Sequence, residues 1–344
     1  MHMADALISP AVGATMWAGS LAVLGYSSRK IRETIDNKTI PLMGVMGAFI
    51  FAAQMINFTI PGTGSSGHLG GGMILAALLG PYAAFVVVAS VLTVQALFFA
   101  DGGLLALGCN VWNLGLYPCF IGYYLIYKPI AGDGGNYRRI FIASLLSVIV
   151  ALQFGAFSVV LETILSGKSE LPFHTFVLLM QPIHLAIGLV EGIVTAGILS
   201  YVKNARPEIL DTGAVSRPPA AGLPCKNILI VFVVLAVLTG GVLSWFASTS
   251  PDGLEWSIEK VTGKGELAEQ EKGIAPVLKE IQEKTAFLPD YNFKQAHKEK
   301  PETEKVPAWP GIDTGTSVSG VVGGGIVLGI VFLIGYGIRI FKRQ

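Results

Sequence analysis

The sequence predicts an all-α protein that crosses a membrane many times, and three observations carry that prediction. Apolar runs long enough to cross a bilayer, about 20 residues each, recur along the 344-residue chain. Hydrophobic residues make up 52% and charged residues only 14%, with a mean hydropathy of +0.61. The 42 glycines suit helices packed closely in lipid, where small residues let backbones approach. The net charge of +1 gives no sign of a nucleic-acid partner.

Seven apolar segments fill the first 205 residues, at about 10–26, 40–57, 69–80, 82–100, 104–127, 140–165 and 174–201. The third is too short to span unaided. A broken or partly re-entrant helix is expected between Gly67 and Gly80, with Gly62, Gly64, Gly67, Gly70, Gly71 and Gly72 supplying the irregular backbone. Arg206-Pro207, Arg217-Pro218-Pro219 and Pro224 mark a linker over 206–225. Two further spans follow at about 226–247 and 318–338, around a polar stretch 248–317. Within that stretch, Leu267, Ile274, Val277, Leu278 and Ile281 among charges predict a short amphipathic helix inside 266–285. The expected organisation is therefore a seven-helix bundle over 1–205, a cytoplasmic linker, and a two-helix module over 226–344 with a long exterior loop.

Orientation follows from lysine and arginine. Arg29, Lys30, Arg32 and Lys38, then Lys128, Arg138 and Arg139, then Lys203, Arg206, Arg217 and Lys226, and finally Arg339, Lys342 and Arg343 make 14 of the 24. All lie on one side of a nine-span chain. The opposite short connections hold only Lys168, and a loop as long as 248–317 translocates largely regardless of its charge. The N-terminus is expected outside and the C-terminus inside, in a cell inner (cytoplasmic) membrane. The start lacks a basic n-region, and Asp5 and Pro10 interrupt the approach to the first apolar run, so no cleaved signal peptide is expected.

The residues with the sharpest chemistry stand at the start, Met1-His2-Met3. A histidine in second position sets its imidazole within chelating reach of the α-amine. The Met1 amine, the deprotonated His2 amide nitrogen and a His2 ring nitrogen close two fused chelate rings on one metal. One more imidazole completes a square-planar N4 set, which favours Ni(II) or Cu(II) and, less strongly, low-spin Co(II). The competing reading of His2 is a tag remnant or an idle terminal residue. The topology bears on the choice, because it puts Met1-His2, the Pro61–His68 loop and the turn at Asp101 on the same exterior side.

Three stretches carry a resemblance. Met1-His2-Met3-Ala4-Asp5-Ala6-Leu7-Ile8-Ser9-Pro10, Ser65-Ser66-Gly67-His68-Leu69-Gly70-Gly71, and Ala100-Asp101-Gly102-Gly103 followed by Leu107-Gly108-Cys109-Asn110-Val111-Trp112-Asn113 occur in order. They resemble the NikM/CbiM family, the substrate-binding S components of energy-coupling factor transporters for nickel and cobalt. The part from about 224 is similar in layout to the NikN/CbiN subunit, so the whole resembles a NikMN fusion. The resemblance implies a metal site of Met1, His2 and His68, with Ni(II) or Co(II) as transported substrate. It also implies two kinds of partner: a transmembrane coupling subunit, docked on a stripe like Ala14, Ala18 and Ala22, and a separate ATP-binding cassette ATPase. The long loop is implied to contact the metal-binding face. Candidates to orient the imidazoles are Asp101, Ser65, Ser66, Asn57, Asn110 and Asn113, of which Asp101 is favoured.

Other readings stay beside this one. Glu191 and His184, seven residues apart in the seventh segment, and Glu162 in the sixth are either proton-relay groups or polar groups paired with neighbours. His174 and His297 read as exposed loop residues. Gly320/Gly324 and Gly325/Gly329 are expected to hold the last span against the seven-helix core. Cys109, Cys119 and Cys225 have neither metal-ligand nor disulfide spacing. No Gly-x-x-x-x-Gly-Lys-Ser/Thr occurs, so this chain is not expected to bind ATP. The rivals to an importer component are a self-sufficient secondary carrier or channel, and a membrane metalloenzyme.

Overall fold

The structure is a computed structural model that describes residues 2–35, 39–132, 136–168, 171–210, 225–263, 273–294 and 310–342. It is helical almost throughout. The first bundle contains α1 (Pro10–Thr34), α2 (Thr39–Gln54), α3 (Gly72–Leu79), α4 (Pro81–Phe99), α5 (Leu107–Val111), α6 (Lys128–Ala131), α7 (Tyr137–Ser166) and α8 (Phe173–Ala205). A π-helix, Trp112–Tyr127, joins α5 to α6 in one rod. The tail supplies α9 (Cys225–Gly241), α10 (Gly253–Thr262), α11 (Ala275–Thr285) and α12 (Thr314–Lys342).

The chain is a multi-pass membrane protein. Helices α4, α7, α8 and α12 are each long and apolar enough to cross a bilayer, and α2 and the apolar stretch of α9 are shorter apolar helices. Exposed Leu125, Phe154, Leu165 and Leu178 stand on the outer faces, where lipid tails take the place of a packing partner. Local signals set the ends. Ser9 caps α1 by accepting from the Val12 N–H, with Pro10 in the first turn, and Asn136 caps α7 by accepting from Arg139. The third segment is broken as expected: α3 stops at Gly80 after eight residues, and Pro81 starts α4.

Several expectations are corrected. The fifth segment is not one α-helix but a short α-turn running into the π-helix. Pro118 lies inside that stretch, where it lacks an N–H for the ladder. The glycine loop is not irregular throughout. It folds into an antiparallel hairpin, β1 (Phe58–Ile60) with β2 (Ser65–Gly67), in register Phe58↔Gly67. The amphipathic helix expected in 266–285 is α11, beginning at Ala275; 264–272 lie outside the described residues, as do 211–224 of the linker. A further helix, α10, was not foreseen.

The tail helices complete the core of the bundle. Helix α2 is apolar around its whole circumference, and such a helix needs partners on every side. It lies against α4 on one side and α9 and α12 on the other, with Phe49 edge-on to Phe232 at 5.3 Å. The glycine pairs of α12 meet the expectation at one position only, Gly324, which faces the seven-helix core. Gly320 meets Gly240 of α9 backbone to backbone, Gly324 approaches Ala48 of α2, and Gly325 and Gly329 face open space.

Candidate metal centre

The segment before α1 is threaded into the bundle. Met3 is fully buried, and its N–H donates to Asn110 Oδ1 at 2.8 Å while its carbonyl accepts from Asn110 Nδ2 at 3.2 Å and from the Gly103 N–H at 2.9 Å. Asp5 Oδ1 accepts from the Ala106 N–H at 3.0 Å, and a Cβ at Gly103 would overlap the Asp5 carboxylate. These bonds tie the backbone next to His2 to the Asp101–Asn110 stretch. Asn110, named from sequence as an imidazole partner, acts instead on the main chain of Met3. Met1 lies outside the described residues.

The loop that carries His68 is held as firmly from below. Gly70 and Gly71 donate their N–H groups to the two carboxylate oxygens of Glu191, at 2.7 and 2.8 Å. Gln54 Nε2 donates to the Gly70 carbonyl at 2.8 Å and is itself held by Gln95. Glu191 is thus a buried anchor for the glycine loop, paired with neighbours, and not a free relay group.

His2 and His68 meet. Their rings stack with centroids 5.0 Å apart and planes 11° apart. His2 Nδ1 is 3.3 Å from Asp101 Oδ1. His68 Nδ1 is 3.0 Å from the Leu69 carbonyl. A carbonyl only accepts, so Nδ1 carries the proton and the Nε2 lone pair is left for a ligand. Burial lowers the pKa of His2, opposed by the Asp101 carboxylate, and burial together with the neighbouring His2 lowers His68 to about 4. Both imidazoles are therefore neutral near pH 7, the state in which they bind a metal.

The remaining named residues occupy other posts. Ser65 Oγ pairs with Thr63 Oγ1 at 2.8 Å, and Ser66 Oγ donates to the Ser250 carbonyl at 2.8 Å. Asn57 accepts at its carbonyl from the Ser248 N–H, so it ties the tail by its main chain. Asn113 Nδ2 donates to Glu162 Oε2 at 2.8 Å, beneath Met3. His184 is buried in α8, with Nδ1 2.8 Å from the Met180 carbonyl. It lines a cavity of about 10 Å³, room for one water-sized body, with His68, Asp252, Gly253, Ile187 and Leu114. His174 is exposed in the first turn of α8, and His297 lies outside the described residues. Ala14, Ala18 and Ala22 are all exposed on the outer face of α1, while Gly13, Ser20 and Ser27 face inward.

Sequence reading missed three residues at this centre: Asp5, Asp252 and Tyr291. Asp252 had a visible signal. Asp252 and Glu255 form a capping box at the start of α10, the Asp-x-x-Glu pattern of a helix N-terminus. Asp5 and Tyr291 had none.

Among the described residues, no three His, Cys, Asp or Glu side chains are arranged to hold a metal ion. Comparisons with known proteins agree with a metal-handling role. Residues 2–209 match the family model described as cobalt uptake substrate-specific transmembrane region, and 226–340 match the PDGLE domain, whose name spells Pro251–Glu255 of this chain. A putative fused nickel transport protein NikMN of Archaeoglobus fulgidus is 33% identical over 97% of this chain and 98% of its own length. A fused nickel transport protein NikMN of Rhodobacter capsulatus is 30% identical over 80% of this chain and 82% of its own length. A crystal structure of a transition metal transporter superposes with a TM-score of 0.54 at 29% identity, covering 62% of this chain and 98% of that one.

Proposed function

The chain belongs to the CbiM family of cobalt-uptake substrate-specific transmembrane regions, extended by a PDGLE domain, and on that premise we propose that it captures nickel or cobalt for an ATP-driven importer of the energy-coupling factor type. It is a nickel/cobalt transport component of the CbiM/NikMN kind and not an enzyme. The observation that carries the finer reading is the stacked pair of neutral imidazoles, His2 and His68, beside Asp101.

The ion is held by four nitrogens: the Met1 amine, the His2 amide nitrogen and ring nitrogen, and His68 Nε2. The amine and the amide must each lose a proton, so capture releases protons and strengthens with pH. A divalent ion on one deprotonated amide carries a net single positive charge. The Asp101 carboxylate beside His2 offsets that charge in a mostly buried place. Four nitrogens in a plane suit nickel, which stands above cobalt in the Irving–Williams order, and the fused layout of the nickel relatives points the same way.

The remaining parts fit a captor that depends on other subunits. The exposed alanine stripe on α1 offers a smooth face to a transmembrane coupling subunit, and hydrolysis of ATP falls to a separate cassette ATPase. The protein sits in the cell inner membrane with the N-terminus outside and the C-terminus inside. A self-sufficient carrier would need a free acid in the membrane for coupling, and Glu191 is committed to the Gly70 and Gly71 amides.

The direct test is metal analysis of protein purified with its unmodified Met1 amine, paired with uptake by the chain alone in liposomes. One tightly held nickel per chain and negligible unaided uptake are expected. Robust uptake by the chain alone would establish the carrier reading in its place.

A further inference from the structure

Asp101 is held from two sides. One carboxylate oxygen faces His2 Nδ1 at 3.3 Å, and the other accepts a short hydrogen bond from the Tyr291 hydroxyl. Tyr291 comes from the tail, 190 residues away in sequence. We propose that Tyr291 is a positioning residue of the metal centre, supplied by the tail module, which fixes the Asp101 carboxylate against His2 and so tightens the hold on the ion. The inference rests on the capture site proposed above and deepens it.

Three features argue that this contact is built. The Tyr291 ring stacks on Phe99 with centroids 5.1 Å apart and planes 19° apart, and it meets Phe51 edge-on at 6.1 Å, so the hydroxyl is aimed by packing. The turn bearing Asp101 is gripped by the same stretch of tail. Gln282 Nε2 donates to the carbonyls of Ala96 and Gly102, each at 2.8 Å, and the Leu288 N–H donates to the Phe98 carbonyl at 3.3 Å. Asp290 and Tyr291 both take left-handed backbone, with φ of 50° and 57°. Two consecutive non-glycine residues there are strained, and such strain persists only where surrounding contacts impose it. What the strained turn achieves is the placement of one hydroxyl on Asp101.

The chemistry asks for such a support. The carboxylate must stay ionised and lie close enough to offset the ion's charge. It must also stay off the plane of the four nitrogens. A hydroxyl bound to the far oxygen limits its rotation, and a hydrogen bond to a charged group is among the stronger ones.

The test is nickel binding by the full-length protein with its Met1 amine intact, in wild type, Tyr291→Phe, Asp101→Asn and the double variant. Tyr291→Phe keeps the ring on Phe99 and removes only the hydroxyl. It is expected to raise the nickel Kd about tenfold in the wild-type background and to have no further effect once Asp101→Asn is present. A merely structural role would cost the same in both backgrounds. Gln282→Ala, which loosens the same turn, is expected to raise Kd in the same direction. Unchanged affinity in Tyr291→Phe, or equal losses in the two backgrounds, overturns the proposal. Loss of binding in His68→Ala with wild-type affinity in Tyr291→Phe would leave the capture site standing and remove this inference alone.

Discussion

Ser66 donates its amide N–H to the carbonyl of Pro251 at 2.8 Å, joining two residues 185 apart in sequence. The bond sets the tail alongside β2 in a parallel bridge from Ser66 to Asp252, and Trp256 Nε1 adds a second tie to the Thr63 carbonyl at 3.0 Å. The loop bearing His68 is therefore clamped between Glu191 below and the tail above. The tail is a structural part of the face that carries His68.

The first prediction concerns that clamp. A Cβ at Gly253 would lie 2.5 Å from Ile183 Cγ2 and 3.3 Å from His184 Cε1, so only glycine lets the segment seat on α8. Gly253→Val should lift the segment at a cost of about 1–3 kcal/mol. Uptake in cells carrying the coupling subunits is expected to fall several-fold at normal expression. Wild-type uptake, with unchanged proteolytic protection of the loop, would show that the contact is dispensable.

The second concerns the terminus. Adding one residue before Met1, or acetylating it, removes the primary amine from the chelate. Tight nickel binding should be abolished, as read by equilibrium titration. An extended protein that binds like wild type would refute the four-nitrogen site.

The third compares histidines. His68→Ala should weaken binding by at least tenfold, because it deletes the fourth nitrogen. His174→Ala and His297→Ala should leave affinity unchanged. Equal losses in all three would mean that the histidines act non-specifically.

The fourth follows from burial of His68. Its pKa is about 4 in the fold against 6.5 when exposed. Between those values the unfolded chain takes up the proton and the folded chain does not, so the stability of the metal-free protein should decline as pH falls from about 6.5 to about 4. Thermal unfolding across that range should show the decline, and His68→Ala should flatten part of it. An identical pH profile in the variant would refute the assignment.

The fifth concerns the long loop. Deleting roughly 262–300 removes α11 and Tyr291 but leaves Ser250–Trp256 and the bundle in place. The terminal chelate must be held over the bundle for the ion to be sequestered, so uptake with the coupling subunits should fall at least tenfold. Full uptake at normal membrane insertion would reduce the loop to a spacer.

The sequence by itself determined the membrane class, the order of the segments and the break at Gly80–Pro81. A bilayer demands long apolar runs, and glycine and proline interrupt them locally. Counts of lysine and arginine also sufficed to place His2, His68 and Asp101 on one side. The tertiary structure alone decided that the two imidazoles stack at 5.0 Å, that Glu191 anchors Gly70 and Gly71, and that α9 and α12 enclose α2. It alone decided as well that Tyr291 reaches Asp101. Contacts between residues far apart in sequence leave no trace in local periodicity. They arise because a loop tied at both ends by helices lies over the bundle, where buried polar groups find their partners across the fold.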